Sequence, residues 1–277
     1  MKKIFTSFTV LSSLVLVLAG CGTSGNQAAP APAEKAPTEN AQPANLLEKI
    51  KAEGKIRVGT EGTYSPFTFH DESGKLTGYD VEVITEVAKR IGVQPEFMET
   101  QWDAMFAGLD SERFDVIANQ VGIRPDRQEK YDFSAPYTVS TAVLAVHKDN
   151  ATVKDFKDIK GLKAAQTLTS NLTDIAKENG AEIVGVEGFN QAIDLLASKR
   201  VDVTVNDGLT LLELLKQKPE TPVKIVAKHA DAAQNGFMFR KGSPELIEAF
   251  NKALDEMHQD GTLAKISEKW FGADVSK

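Results

Sequence analysis

The chain has 277 residues, with 32 Lys+Arg against 39 Asp+Glu and a formal net charge of −7. Hydrophobic residues make up 42% and charged residues 26%, a soluble-globular balance that excludes a polytopic membrane protein, a disordered chain and a collagen. One cysteine leaves no intramolecular disulfide and no cysteine-based zinc cluster. The acidic balance argues against a nucleic-acid surface, which needs clustered positive charge.

Lys2 and Lys3 precede an uncharged stretch, Ile4 to Ala19, that holds Leu11, Leu14, Val15, Leu16, Val17 and Leu18. About 16 residues is short for a bilayer-spanning helix; a positive start and an apolar middle describe an export signal over residues 1–20. Leu18-Ala19-Gly20-Cys21 resembles a bacterial lipobox. In such signals the Cys21 thiol carries a diacylglycerol and becomes the new N-terminus; an ordinary signal peptide with a chance cysteine is the plainer alternative. Residues 22–45 contain no Leu, Ile, Val or aromatic side chain but hold Pro30, Pro32, Pro37 and Pro43. Nothing there offsets the entropy of ordering, so residues 21–45 read as a disordered, lipid-anchored linker.

From Leu46 the pattern alternates. Leu46, Leu47 and Ile50 mark an amphipathic helix, Ile56 to Thr60 a strand, and Phe67 to Tyr79 a hairpin turning at Asp71–Lys75. Val81, Ile84, Val87, Ala88 and Ile91 recur at helical spacing, with Asp80 as the expected N-cap and Gly92 as the C-terminal glycine. A strand over Val93–Met98, a helix over Trp102–Leu109 and a strand over Phe114–Ala118 follow. Further strands are expected at Ala142–His147, Leu162–Ala165, Ile183–Val186, Val201–Val205 and Val223–Val226. Helices lie between them near Leu172–Glu178, Phe189–Ser198 and Leu209–Lys216. Ser243 and Pro244 open a helix carrying Leu246, Ile247, Phe250, Leu254 and Met257, and a last helix holds Ile266, Trp270 and Phe271. This rhythm predicts two α/β lobes, each a mainly parallel sheet flanked by helices.

Nucleophile-elbow, dinucleotide, phosphate-loop and HExxH motifs are absent from the sequence. His70, His147, His229 and His258 have no metal-ligand spacing, so no metal and no cofactor are expected. Polar loops instead follow four strands, where α/β sheets place ligands: Glu61 to Phe67, Asn119 to Arg127, Gln166 to Asn171, and Asn206 to Gly208. Each residue has two readings. Asp207, Ser170 and Asn171 are helix caps or parts of a ligand site; Arg127 is a surface arginine beside Glu129 or part of that site. Tyr64 is a turn aromatic and Trp102 ordinary core, or both belong to it. The combination suits a zwitterion.

The sequence resembles the polar amino-acid binding proteins of bacterial ABC importers across Leu46–Lys277. The resemblance is carried by Val58-Gly59-Thr60-Glu61-Gly62-Thr63-Tyr64-Ser65-Pro66-Phe67, Leu76-Thr77-Gly78-Tyr79-Asp80-Val81-Glu82, Phe114-Asp115-Val116-Ile117, Arg127 and Lys130-Tyr131-Asp132-Phe133-Ser134. Asp260-Gly261-Thr262-Leu263 and Lys269-Trp270-Phe271-Gly272 extend it. Glu99-Thr100-Gln101-Trp102-Asp103, Ala118-to-Gly122 and Thr169-Ser170-Asn171 are similar to the L-cystine-binding lipoproteins of Gram-positive bacteria. The resemblance implies a two-lobed periplasmic-binding-protein-like (type II) fold with two hinge crossovers, near Ser140–Thr141 and Ala232–Ala233. Residues 46–140 with 233–277 would form one lobe and 141–232 the other. It further implies that Arg127 and the Gly122 N–H hold the α-carboxylate, with Thr167, Ser170 and Asn171 as further donors. Asp207 would take the α-ammonium, and Tyr64 and Trp102 would wall the side chain. Glu61, with Gln120 nearby, would receive a distal ammonium, or equally the cation of arginine, lysine or histidine. The implied partners are an amino acid (L-cystine favoured; Arg, Lys, His or Gln as the alternative), a permease with its ATPase, and the membrane through the anchor, the protein itself being a monomer. A dehydratase on the same scaffold is the enzymatic competitor, with Glu61 as its one candidate acid or base.

Overall fold

The computed structural model describes residues 45–277. The expectations for the export signal, Cys21 and residues 21–44 lie outside the described residues. Asn45 is the exception: it caps helix α1 (Leu46–Glu53) by accepting the Glu48 N–H at 3.0 Å. In chain order there follow β1 (Lys55–Thr60), β2 (Thr63–Tyr64), β3 (Thr68–His70), β4 (Leu76–Thr77), α2 (Tyr79–Ile91), β5 (Gln94–Glu99), α3 (Trp102–Asp110), β6 (Val116–Ile117), α4 (Pro125–Gln128) and β7 (Tyr131–Phe133). Then come β8 (Thr138–His147), a 3₁₀ turn (Phe156–Ile159), β9 (Lys163–Gln166), α5 (Asn171–Glu178), β10 (Glu182–Gly185), α6 (Phe189–Ala197), β11 (Val203–Asp207) and α7 (Gly208–Gln217). The chain closes with β12 (Val223–Asn235), β13 (Met238–Arg240), α8 (Pro244–Gln259) and α9 (Thr262–Phe271).

Two five-stranded sheets, ordered β5-β1-β6-β13-β7 and β10-β9-β11-β8-β12, make a bilobed α/β architecture. Each sheet is mixed, which corrects the mainly parallel expectation. β1 pairs in parallel with β5 and β6, but β13 runs antiparallel to β6 and β7. β9 pairs in parallel with β10 and β11, but β8 runs antiparallel to β11 and β12. The reversed strands, β8 and β13, are those next to where the chain passes from one sheet to the other. β7 and β13, three residues each, have no strand signal in the sequence.

Period-two alternation sorts the core. On β8, Val143 and Ala145 enter one cluster, while Ala142, Leu144 and Val146 enter the cluster on the opposite face. The first sheet is covered on one side by Val83, Ile84, Val87, Leu246, Phe250 and Leu254, from the apolar stripes of α2 and α8. Its other face packs Trp102, Met105 and Leu109 of α3 against Phe114 and Ile117.

The N-terminus of α2 corrects one expectation and sets up the site. The helix starts at Tyr79 with Gly78 as its cap, so Asp80 lies inside the first turn rather than at the N-cap. Gly78 has φ 132, and a Cβ there would fall 2.1 Å from the Phe67 carbonyl oxygen; only glycine permits that approach. Asp80 is thereby buried and turned inward.

Candidate functional site

Strand ends from both sheets meet around a cavity. On the first-sheet side, Glu61 follows β1, and its carboxylate and Asn119 bind each other reciprocally. Asn119 Nδ2 donates to Glu61 Oε2 at 2.6 Å, and the Glu61 N–H donates to Asn119 Oδ1 at 2.8 Å. Burial raises the Glu61 carboxyl to about 7. Gln120 takes a left-handed backbone, φ 51, and its N–H donates to Asp80 Oδ2 at 2.6 Å. Gln120 is 7% exposed, and both polar atoms of its amide lack a partner among the described residues while it lines the cavity. Asp80 itself is pushed to about 7 by burial, despite the Gln120 N–H.

On the second-sheet side, β11 ends at Asp207, which caps α7 by accepting the Leu209 N–H at 2.8 Å and also accepts the Ser140 hydroxyl. Asp207 is 7% exposed, and burial raises its carboxyl to about 6. Ser170 caps α5 through the Leu172 N–H. Both cap readings therefore hold, and both residues line the cavity. A cap side chain at a strand–helix junction is already placed at the sheet edge, so one position can serve both ends.

Of the ten residues expected at the site, eight line this cavity: Glu61, Tyr64, Trp102, Gln120, Thr167, Ser170, Asn171 and Asp207. Gly122 and Arg127 stand behind the wall rather than on it. Arg127 is 5% exposed, its guanidinium lying 5.5 Å from the Trp102 ring centroid and 5.4 Å from that of Phe106. It donates to the carbonyls of Gly122 at 3.1 Å and Thr169 at 3.3 Å. It is neither at the surface nor paired with Glu129. Among the described residues it makes no ion pair, and burial lowers it to about 10. Those two carbonyls, one from each side of the cleft, take two of its five N–H donors.

Direct hydrogen bonds join the two sides. Tyr64 OH donates to Asn206 Oδ1 at 2.9 Å, Asn190 Nδ2 donates to the Thr63 carbonyl at 3.2 Å, and Arg124 pairs with Asp174 at 2.7 Å. Asp103 of α3 accepts the N–H groups of Leu168 and Thr169. Phe189 packs edge-on to Tyr64, 6.1 Å between centroids. Asn119, Asn206, Ser140, Phe189 and Asp231 line the cavity beyond the expected set. Asn119 and Asn206 carried a readable signal, polar side chains closing apolar strands. Ser140 and Asp231 carried none, since each belongs to a long strand.

A model of the bacterial extracellular solute-binding proteins, family 3, matches residues 56–273. The chain is 51% identical to the L-cystine-binding protein TcyA of Bacillus subtilis (strain 168), over 100% of this chain and 99% of that protein. It is 41% identical to the L-cystine-binding protein TcyJ of Escherichia coli (strain K12), over 84% of this chain and 88% of that one. Among solved structures, an ancestral arginine-binding protein bound to arginine superposes with a TM-score of 0.75 at 39% identity, covering 79% of this chain and 99% of that one. The L-cystine solute receptor of Neisseria gonorrhoeae in its unliganded open conformation is more similar in sequence, at 50% over 84% of this chain and 99% of that one. Its TM-score is nonetheless lower, 0.57. The direct bonds between the two sides describe an arrangement in which the cleft is closed. The chain belongs to the bacterial extracellular solute-binding proteins, family 3, and is a binding protein rather than an enzyme.

Proposed function

We propose that this protein is the extracytoplasmic, lipid-anchored receptor of an ABC importer, capturing L-cystine between its lobes and presenting it to the permease. The observation that carries the reading is a buried acid and a buried arginine that lack each other. Among the described residues Asp207 lines the cavity without a cationic partner, and Arg127 lies behind the wall, against Trp102, without an anionic one. Buried charges are costly unless paired, and an amino acid brings the missing ammonium and carboxylate together. Thr167, Ser170 and Asn171 add neutral donors, Gly122 admits close approach of the backbone, and Tyr64 and Trp102 supply apolar walls. Similarity to TcyA and TcyJ favours cystine over other amino acids.

The paired segment Thr138–Thr141 and Ala232–Asn235 is the natural hinge, with residues 46–140 and 233–277 as one lobe and 141–232 as the other. Guest and lobes then close as one equilibrium, driven only by contacts the open state lacks. Basic amino acids are the second reading, favoured by the Glu61 carboxylate on the cavity wall. A thermal-shift panel of cystine, cysteine, arginine, lysine, histidine and glutamine decides between them, because stabilisation grows as RT ln(1 + [L]/Kd). Cystine is expected to give the largest rise; a larger rise with a basic amino acid selects the second reading, and no rise with any of them removes both. Anchoring is tested by mass spectrometry of the membrane fraction, where an unmodified Cys21 thiol would be decisive against it.

A further inference from the structure

The ladder between β8 and β12 is broken where it borders the cavity. Lys228 pairs with Val143 and Ala232 with Thr141, so Ala142 alone faces the three residues 229–231. The surplus residues bulge out of the ladder. His229 packs its ring edge-on against Phe156, 5.5 Å between centroids, and its Nδ1 accepts the Asp231 N–H at 3.2 Å. The result is that Asp231 joins Ala142 and Ala233 in lining the cavity. Its side chain is exposed, and among the described residues its carboxylate has neither a hydrogen bond nor an ion pair.

Resting on the amino-acid reading above, we propose that Asp231 is a specificity-determining residue that receives a second cationic nitrogen of the guest, so that the site selects amino acids bearing two. Among the described residues the cavity wall carries three carboxylates, Glu61, Asp207 and Asp231, and no Lys, Arg or His. One α-ammonium answers Asp207. Glu61 is already engaged by Asn119 Nδ2, which leaves Asp231 as the carboxylate without a partner among the described residues. The buried Gln120 amide, with donor and acceptor both unpartnered among the described residues, independently adds a free donor and a free acceptor to the same cavity wall. A guest of the cystine type carries its second ammonium on an arm several bonds long, which suits an anion set apart from Asp207 on another strand.

The test is calorimetric titration of the purified chain and its Asp231→Asn variant with L-cystine and with S-methyl-L-cysteine, which keeps one zwitterion end and lacks the other. Where the panel prefers a basic amino acid, lysine against norleucine serves in the same way. Loss of a partly solvated charge pair predicts about a fivefold weaker affinity for the two-nitrogen ligand and none for its one-nitrogen partner. The fivefold ratio is expected to shrink toward one at about 1 M salt, where the Debye length is ~3 Å. Equal affinity of wild type and variant for the two-nitrogen ligand overturns the assignment, as does an equal loss for both ligands. Those outcomes leave the amino-acid reading standing, whereas a wild-type chain that binds no amino acid removes that reading and this assignment together.

Discussion

Asp103 and Thr169, on opposite sides of the cleft, are joined twice: the Thr169 N–H donates to Asp103 Oδ1 at 2.9 Å, and its hydroxyl donates to the same oxygen at 2.7 Å. The Leu168 N–H adds a third bond, to Oδ2, at 3.0 Å. One carboxylate thus fastens the loop after β9 to the first turn of α3, beside the Trp102 wall. These bonds exist only while the lobes are together, so they contribute to closure and not to the folding of either lobe. Asp103→Ala is expected to weaken cystine binding about tenfold, at ~1.5 kcal/mol for bonds to a charged group that solvent reaches. Thr169→Val, which removes the hydroxyl alone, should cost about threefold. Calorimetry gives the affinities, and the change in radius of gyration on ligand addition reports closure. An Asp103→Ala chain with unaltered affinity would show that the fastening follows closure without favouring it.

The proposed anchors, Arg127 and Asp207, make the next prediction. Arg127→Ala and Asp207→Ala should each reduce affinity at least tenfold, since each leaves one charged end of the guest buried without a partner. Their effects should be non-additive, because either loss abandons the bridging geometry that holds the lobes around the guest. A double-mutant cycle on cystine affinity measures this; strict additivity would mean that the two residues act on separate events.

Acidity follows from the buried carboxyls. Asp207 at about 6 and Asp80 and Glu61 at about 7 all lie above the ~4 of an unfolded carboxyl. Between about pH 4 and 7 the folded chain therefore holds more protons than the unfolded one. This contribution is fully present below about pH 4 and is lost as pH rises through 6 to 7. Asp207→Asn, which mimics the protonated form, should gain melting temperature over ligand-free wild type as pH goes from 5 to 8. Ligand binding runs the other way: an ammonium needs the ionised acid, so wild-type affinity for cystine should rise over the same interval. Calorimetric scans and titrations at pH 5, 6, 7 and 8 check both senses, and a pH-independent gap between variant and wild type would contradict the first.

Much of this was legible in the residues because the physics was local. The stripe Val83, Ile84, Val87 and Ala88 could serve no element but a helix with one buried face, and the polar loops after β1, β6, β9 and β11 announced a sheet-edge site. What escaped depends on distance in the chain. β7 and β13 are three residues long and become strands only through pairing with chain-distant partners, β13 with both β6 and β7. Asp80 looked like a cap, because sequence alone gives no sign that a carboxylate in the first turn will meet a backbone N–H forty residues on. Asp103 and Asp231 were indistinguishable from solvated acids; one is recruited by closure and the other by a register shift. Arg127 is expected from the sequence at the site, but that carbonyls from both sides of the cleft hold its guanidinium beside Trp102 depends on residues far apart in the chain.

Gln120 offers a way to separate folding from binding. A non-glycine residue held at φ 51 carries a conformational cost of order 1 kcal/mol, here tolerated because Asp80 captures its N–H and the turn aims its amide at the cavity. Gln120→Gly keeps the N–H and relieves the backbone, but deletes the amide. Part of the relief is offset by the greater freedom of glycine in the unfolded chain. The variant should therefore melt at or slightly above wild type while binding cystine several-fold more weakly. Gln120→Ala keeps the strain and deletes the same amide, so it should match the glycine variant in affinity and fall below it in melting temperature. Equal melting temperatures for the two variants would show that the left-handed turn costs nothing; wild-type affinity in either would show that the amide never meets the guest.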